Sequence, residues 1–359
     1  MDLIKYIAFL FIFSYLVMMF IKLLCKNNKL LITDYLHNGP QKLHKNSTPR
    51  IGGFGIFLGV FVFVVISFIY RESFRKELLL IFLCSLPVFV TGTWEDLRAN
   101  LKPRLRLLLT SVSGMLVFLF LGGVSEVDLP LLDDILHFAI FSFIFTVFAI
   151  TGMVHASNII DGTNGLASFI SIMNLFGLTI IACRVGDITL AIYGFVFISI
   201  IMGFFVFNWP SGSIFLGDGG AYLIGYLIAV MSILLLRNHP EVSPWAVLLI
   251  NIYPVFETVF SIFRRKLAKK ASSFFADASH LHTLLYNTLA RKFPNYKDLI
   301  LLSSFTSVLL WFFNIFAVVP GVIFKEKSLL ILFLFIFLLL YSLIYRELLN
   351  FKRRYQPVT

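Results

Sequence analysis

Residues 329–340 read Leu-Leu-Ile-Leu-Phe-Leu-Phe-Ile-Phe-Leu-Leu-Leu, an apolar run without a polar interruption. A strand that crosses a bilayer alternates in polarity over about ten residues, so this run speaks against a transmembrane β-barrel. A helix of about 20 residues fits instead, because it bonds all of its backbone groups within its own segment. Working outward, the same reading marks about eleven apolar segments of spanning length: 3–24, 53–70, 78–94, 106–121, 135–154, 166–183, 189–207, 219–236, 246–263, 299–319 and 328–345. The composition agrees: 59% of the 359 residues are hydrophobic, 42 are Phe and only 14% are charged. A soluble domain carries about a quarter charged residues. The expectation is an all-α polytopic membrane protein of about eleven transmembrane helices, forming a single integral-membrane domain over 1–359.

The first run lacks a small-residue cleavage site and leads directly into Lys22, Cys25 and Lys26, so it reads as a retained span. Cys25, Cys84 and Cys183 show neither metal spacing nor a disulfide framework. A net charge of +11 would suggest nucleic acid in a soluble protein, but here the cations sort by loop. The set 25–52, 95–106, 155–165, 208–218, 264–298 and the tail from 346 holds most of the Lys and Arg. The positive-inside rule places that set in the cytoplasm, with the N-terminus periplasmic and the C-terminus cytoplasmic. Glu95, Asp96, Asp161, Asp218, Glu257 and Asp277 fall in or beside the same set. One face thus combines cations with carboxylates, as a charged substrate and a metal ion would require.

Five stretches on that face carry the chemistry. The first, residues 41–53, holds Lys42, His44, Lys45 and Arg50 ahead of the breakers Gly52 and Gly53. Its cations could meet phosphates or serve only orientation. The second has Glu95 and Asp96 at a span end, followed by Arg98, Lys102, Arg104 and Arg106. Paired acids near lipid suggest a polar cavity, and a charged helix end is the plainer alternative. Adjacent side chains diverge by about 100° on a helix, so the two need not act on one atom. The third, Asn158-Ile159-Ile160-Asp161-Gly162-Thr163-Asn164-Gly165, has Asp161 as its one charge, so charge sorting does not explain it. Asn158, Asp161 and Asn164 recur every three residues and could share a side, while the glycines allow close approach to a ligand. A plain Asn/Asp/Gly turn is the alternative.

The fourth stretch has Asn208-Trp209-Pro210, then Phe215-Leu216-Gly217-Asp218-Gly219-Gly220. Asp218 opens an apolar span, where a carboxylate suits the helix N-terminus and also a hard cation such as Mg2+. Phe215 could stack on a base or sit in the interface. The fifth runs from Arg264, Arg265 and Lys266 to His280-Leu281-His282. Its basic cluster attracts anionic lipid in any case, and both histidines could bind a diphosphate.

In this order the stretches resemble the polyprenyl-phosphate N-acetylhexosamine-1-phosphate transferases, the MraY/WecA-like family. The matches are Pro49-Arg50-Ile51-Gly52-Gly53, Glu95-Asp96, Asn158 with Asp161-Gly162 and Gly165-Leu166, Phe215 with Gly217-Asp218, the stretch Pro254 to Arg265, and His280 with His282. Eleven spans and a cytoplasmic tail look closer to the WecA branch. Departures are Glu95-Asp96 for the usual Asp-Asp, His155 for Asn, Asn164 for Asp, Ala221 for Ser, and Thr283 for a third His.

The resemblance implies transfer of an N-acetylamino-sugar 1-phosphate from a UDP-sugar to undecaprenyl or another polyprenyl phosphate. UMP would leave, and the lipid diphosphate sugar would start O-antigen or another surface glycan at the bacterial inner membrane. It implies Mg2+, with Mn2+ as an alternative, on Asp218. Glu95, Asp96 and Asp161 would be the catalytic residues. His44, Arg50, Asn158, Gly162, Asn164, Asn208, Phe215, Arg264, Arg265, His280 and His282 would bind substrate. The partners would be the UDP-amino sugar, polyprenyl phosphate and membrane lipid, with no nucleic acid; a homodimer is compatible with this. The competing reading is a transporter or flippase for a lipid-linked or anionic solute, which would place broken, polar helices at the bilayer midplane. The span interiors here read as almost purely apolar, which favours the enzyme.

Overall fold

The computed structural model describes residues 3–27, 48–98, 100–267, 279–293 and 298–354, and every regular element among them is an α-helix. In chain order these are α1 (Leu3–Asn27), α2 (Gly52–Ile69), α3 (Arg75–Arg98), α4 (Pro103–Leu121), α5 (Pro130–Leu136), α6 (Ala139–Ile159) and α7 (Leu166–Arg184). Then follow α8 (Ile188–Asn208), α9 (Gly217–Asn238), α10 (Pro244–Ile250), α11 (Ile252–Leu267), α12 (Leu281–Lys292), α13 (Leu299–Ile323) and α14 (Lys327–Arg354). Ten of the described helices are long and apolar enough to cross a membrane, and α10 with α11 makes an eleventh if the bent pair counts as one span. The chain is a multi-pass membrane protein.

Burial separates the centre of the bundle from its rim. The most apolar window of α9 is 89% buried, whereas that of α1 is 17% and that of α14 is 28%. The central helix packs against α2, α3, α6 and α7, while α1 lies against α8 and α2. On the rim, large apolar side chains such as Phe120, Phe148, Phe316 and Phe335 stand exposed. So much outward apolar surface suits lipid and not water.

The segment 246–263 is not the straight span expected from its composition. It bends by 76° between α10 and α11, with Asn251 at the break. A break frees backbone groups that hydrocarbon cannot satisfy. Here amides from other helices meet the gap. The Asn174 side-chain amide lies 3.1 Å from that of Asn314 and 3.1 Å from that of Asn251. Asn251 Nδ2 in turn donates to the Val247 carbonyl at 3.0 Å. These three asparagines are buried within the bundle, so the expectation of almost purely apolar span interiors needs correction.

At one end of the bundle the helix termini converge. The 49–53 segment runs against 215–216: Phe215 N donates to Pro49 O at 2.9 Å, and Gly52 N and Gly53 N donate to Phe215 O and Leu216 O, each at 3.0 Å. This pairing brings the start of α2 onto the start of α9, at which Asp218 sits.

Candidate active site

Asp218 stands in the first turn of α9, where N–H groups lack partners within the helix. A second helix supplies the cap. Asp96, in the last turn of α3, accepts from Asp218 N and from Gly219 N, each at 2.9 Å. Its oxygens are thereby occupied with fixing α9. Gly217 makes the approach feasible: its φ is +75°, and a Cβ there would lie 2.6 Å from Asp96 Oδ2. Only a residue without a side chain fits both demands.

The neighbouring Glu95 turns elsewhere, as divergence on a helix requires. Its Oε2 accepts from Leu101 N at 3.0 Å, and its Oε1 lies 3.5 Å from Arg106 Nη1. Arg106 also stands 3.5 Å from Asp218 Oδ2. From the other side Arg50 lies 3.5 Å from Asp218 Oδ1 and 3.6 Å from Asp96 Oδ1. Asn158 Nδ2 donates to Asp218 Oδ1 at 3.0 Å. Both arginine side chains keep about a quarter of their surface exposed, 23% for Arg50 and 24% for Arg106, so the centre is open to a ligand. Their contacts to the carboxylates are longer than close charge-assisted bonds of about 2.8 Å.

The 160–165 turn forms a second wall. Burial pushes the Asp161 carboxyl up to about 7; the Arg50 charge works against that rise and the Asp218 charge adds to it. Beside it, the His282 ring lies against the open face of Gly162, so closely that any side chain at 162 would displace it. His282 is buried, and its Nδ1 has no hydrogen-bond partner among the described residues. Burial above all, with the nearby His280 adding to it and Glu257 opposing, lowers its imidazole to about 4. His280 stacks on it, with ring centroids 5.6 Å apart and planes within 2°.

The structure thus brings together Arg50, Glu95, Asp96, Asn158, Asp161, Gly162, Asp218 and His282 from five separate stretches. Other candidates sit differently. Asn208 is bonded wholly within the protein: its Oδ1 accepts from Gly165 N at 2.8 Å, and its Nδ2 donates to Ile214 O at 2.9 Å. Asn164 is buried and donates to Pro210 O at 3.3 Å, while its N–H donates to Ser303 Oγ at 3.2 Å. Phe215 is half-buried in the segment paired with 49–53. Arg264 and Arg265 end α11 beside the histidine segment, with Arg264 over the Tyr345 ring at 5.9 Å. His44 lies outside the described residues.

Sequence reasoning missed Arg106 as a site residue, having counted it among orientation charges. One signal was available, since Arg106 stands in the first turn of α4, where a cation opposes the helix dipole unless an anion is near. It also left out His155, which is 3.0 Å from Thr110 Oγ1 and edge-on to Tyr222 at 5.0 Å, beside the same arginine. Among the described residues no group of three or more His, Cys, Asp or Glu could enclose a metal ion by itself. The donors that exist are hard oxygens, those of Asp218 next to the Asn158 amide and Asp161. They fit Mg2+, which binds through one or two carboxylates and completes its shell with waters and phosphates.

Helical spans around a carboxylate–arginine centre at one end define a multi-pass membrane protein with buried ionic groups gathered at that end. Residues 78–236 match glycosyl transferase family 4. The chain is similar to a probable undecaprenyl-phosphate N-acetylglucosaminyl 1-phosphate transferase of Bacillus subtilis, with 29% identity over 245 residues, 67% of this chain and 66% of the relative. It is similar to an undecaprenyl-phosphate alpha-N-acetylglucosaminyl 1-phosphate transferase of Thermotoga maritima, with 29% identity, covering 74% of this chain and 76% of the relative. A phospho-N-acetylmuramoyl-pentapeptide-transferase of Streptococcus pneumoniae shares 31% identity over 60% of this chain and 66% of its own length. The match thus spans just under two thirds of the Bacillus and Streptococcus relatives. These likenesses are to MraY/WecA-like transferases, and the glycosyl transferase family 4 match covers residues 78–236 of the 359.

Proposed function

We propose that this chain moves an N-acetylamino-sugar 1-phosphate from a UDP-sugar to undecaprenyl or another polyprenyl phosphate and releases UMP. The observation that carries this reading is the convergence of Arg50 and Arg106 on Asp218 beside Asn158 and Asp161. Two relatives are named for this type of transfer onto undecaprenyl phosphate. The product would be a lipid diphosphate sugar that starts a surface glycan such as O-antigen, made on the cytoplasmic face of a bacterial inner membrane.

The lipid phosphate oxygen attacks the sugar-bearing phosphorus, the bond to UMP breaks, and a new diphosphate links lipid and sugar. About four negative charges meet at this centre, so positioning and neutralisation do most of the work. Arg50 and Arg106 turn from the carboxylates to the phosphates. Asp218, oriented by Asn158 and by the cap from Asp96, would hold Mg2+. Bound there, Mg2+ would supply Lewis-acid stabilisation of charge in phosphoryl transfer. Glu95 keeps Arg106 aimed. A general base is not obligatory near neutral pH, because a phosphate monoester loses its second proton at a pKa of about 6. His282 presents a neutral ring against Gly162 and so shapes the diphosphate pocket without adding charge.

Among the described residues, the break at Asn251 is a feature a transporter would share. Its amide chain closes on itself within the bundle, while the ionic groups gather at the bundle end, and this arrangement favours the transferase. The test uses purified protein with undecaprenyl phosphate and a panel of radiolabelled UDP-amino sugars, with and without Mg2+. Mg2+-dependent label in the lipid phase with release of UMP supports the proposal. UDP as product means ordinary glycosyl transfer, and no product with any donor, together with lipid or solute flux in vesicles, means a transporter.

A further inference from the structure

Glu257 is a carboxylate with no exposed surface, on α11. A buried charge of this kind persists only where donors surround it. Three reach it from two other parts of the chain. His280 Nδ1 lies 2.9 Å from Oε1, Leu281 N donates to the same oxygen at 3.3 Å, and the Tyr341 hydroxyl of α14 donates to Oε2 at 2.7 Å. Ser261 Oγ sits 3.2 Å from the same imidazole nitrogen. A second hydroxyl of α14, on Tyr345, donates to Ser279 O at 3.0 Å. The groups facing His280 are therefore Glu257 and Ser261 from α11 and His282 from α12, with Tyr341 of α14 on the other oxygen of Glu257.

A carboxylate that accepts from Nδ1 fixes both the ring plane and which edge remains for a ligand, as the partner on one nitrogen decides the role of the other. With Nδ1 committed, His280 has Nε2 to offer. The ring also stacks on His282, which touches Gly162 of the Asp161 turn. An uninterrupted set of contacts thus runs from the last span to the wall of the carboxylate centre. We propose that Tyr341, acting through Glu257, is a positioning residue that holds His280 toward the diphosphate of the nucleotide sugar. This rests on the transferase reading above. In this view α14 does more than complete the bundle, because its hydroxyls set the histidine edge of the substrate pocket. Neither Tyr341 nor Glu257 touches the reacting atoms.

The test is a double-mutant cycle of Tyr341→Phe and His280→Ala in purified protein, read as KM and kcat for the UDP-sugar and as KM for polyprenyl phosphate. Wild-type transfer is measured first; if no UDP-sugar is turned over, the transferase reading fails and takes this inference with it. With an active wild type, Tyr341→Phe is expected to raise KM for the UDP-sugar roughly tenfold, the size of one lost hydrogen bond to a charged group. Its kcat should change far less, and KM for the lipid should stay put. In the His280→Ala background the same substitution should have no further effect, since coupled residues are non-additive. Glu257→Gln retains an acceptor for Nδ1 and should be milder than Glu257→Ala. A merely structural clamp would lower the active fraction and the thermal midpoint with KM unchanged. That pattern, or effects of Tyr341→Phe and His280→Ala that simply add, overturns the proposal.

Discussion

Asp218 faces Arg50, Arg106 and Asn158 at once, and its main-chain N–H is held by Asp96. A side chain placed so centrally should be indispensable to turnover and nearly irrelevant to insertion. Asp218→Ala and Asp161→Ala are each expected to cut transfer at least ~10³-fold, the scale of losing a preorganised electrostatic group. Both variants should still be recovered from the membrane as folded protein. Near-normal activity in either, with folding verified, would remove that residue from the site.

His282 carries a prediction of a different kind. Its folded imidazole titrates at about 4 because burial disfavours the charged ring, and an unfolded histidine titrates at about 6.5. Between these values the unfolded chain binds the extra proton, so acidification from 6.5 toward 4 destabilises the native state. Stability is whole above that window, and the full loss, of the order of 3 kcal/mol, is reached below it. Asp161, raised to about 7, acts in the opposite sense. The two are therefore separated by comparing wild type with His282→Gln in detergent. Wild type should lose more thermal midpoint between pH 7 and pH 5 than the variant does; equal losses would mean that His282 is not the buried neutral ring described.

At the scale of elements, the joint between α3 and α9 is held by one side chain that serves two backbone donors. Asp96→Ala leaves both N–H groups short of a partner, at a cost of about 1–3 kcal/mol each when buried. Asp96→Asn keeps one oxygen and should fall between the two in thermal midpoint. A variant as stable as wild type would show that α9 does not need this cap. The pairing was hidden in the sequence, since Asp96 and Asp218 lie 122 residues apart and each reads locally as a polar helix end. The break at Asn251 was hidden for the same reason. Hydropathy over 246–263 looks continuous, and the amides that permit the bend come from Asn174, 77 positions away, and from Asn314 beyond it. What local reading did catch were features with a local cause. Gly162 and Gly165 were read as allowing close approach, and the structure packs a side chain against each, His282 on Gly162 and Trp209 on Gly165.

For the whole molecule, the spans were legible because the bilayer imposes one rule on every segment, whatever its neighbours. Arg106 was not, because a cation at the end of a span serves orientation and chemistry alike until its partners are known. Orientation itself rests on the distribution of Lys and Arg, and the structure offers natural probes for it. Cys183, near the end of α7 remote from the site, is exposed, while Cys25 and Cys84 are buried. Ser211, in the turn between α8 and α9 at the site end, is exposed as well. The charge bias puts the first of these outside and the second in the cytoplasm. A membrane-impermeant maleimide should therefore label Cys183 in intact spheroplasts. In a Cys183→Ser background, Ser211→Cys should react only after permeabilisation. The opposite pattern would turn the carboxylate–arginine centre outward, away from cytoplasmic nucleotide sugars. The transferase reading could not survive that result, however well the site residues matched.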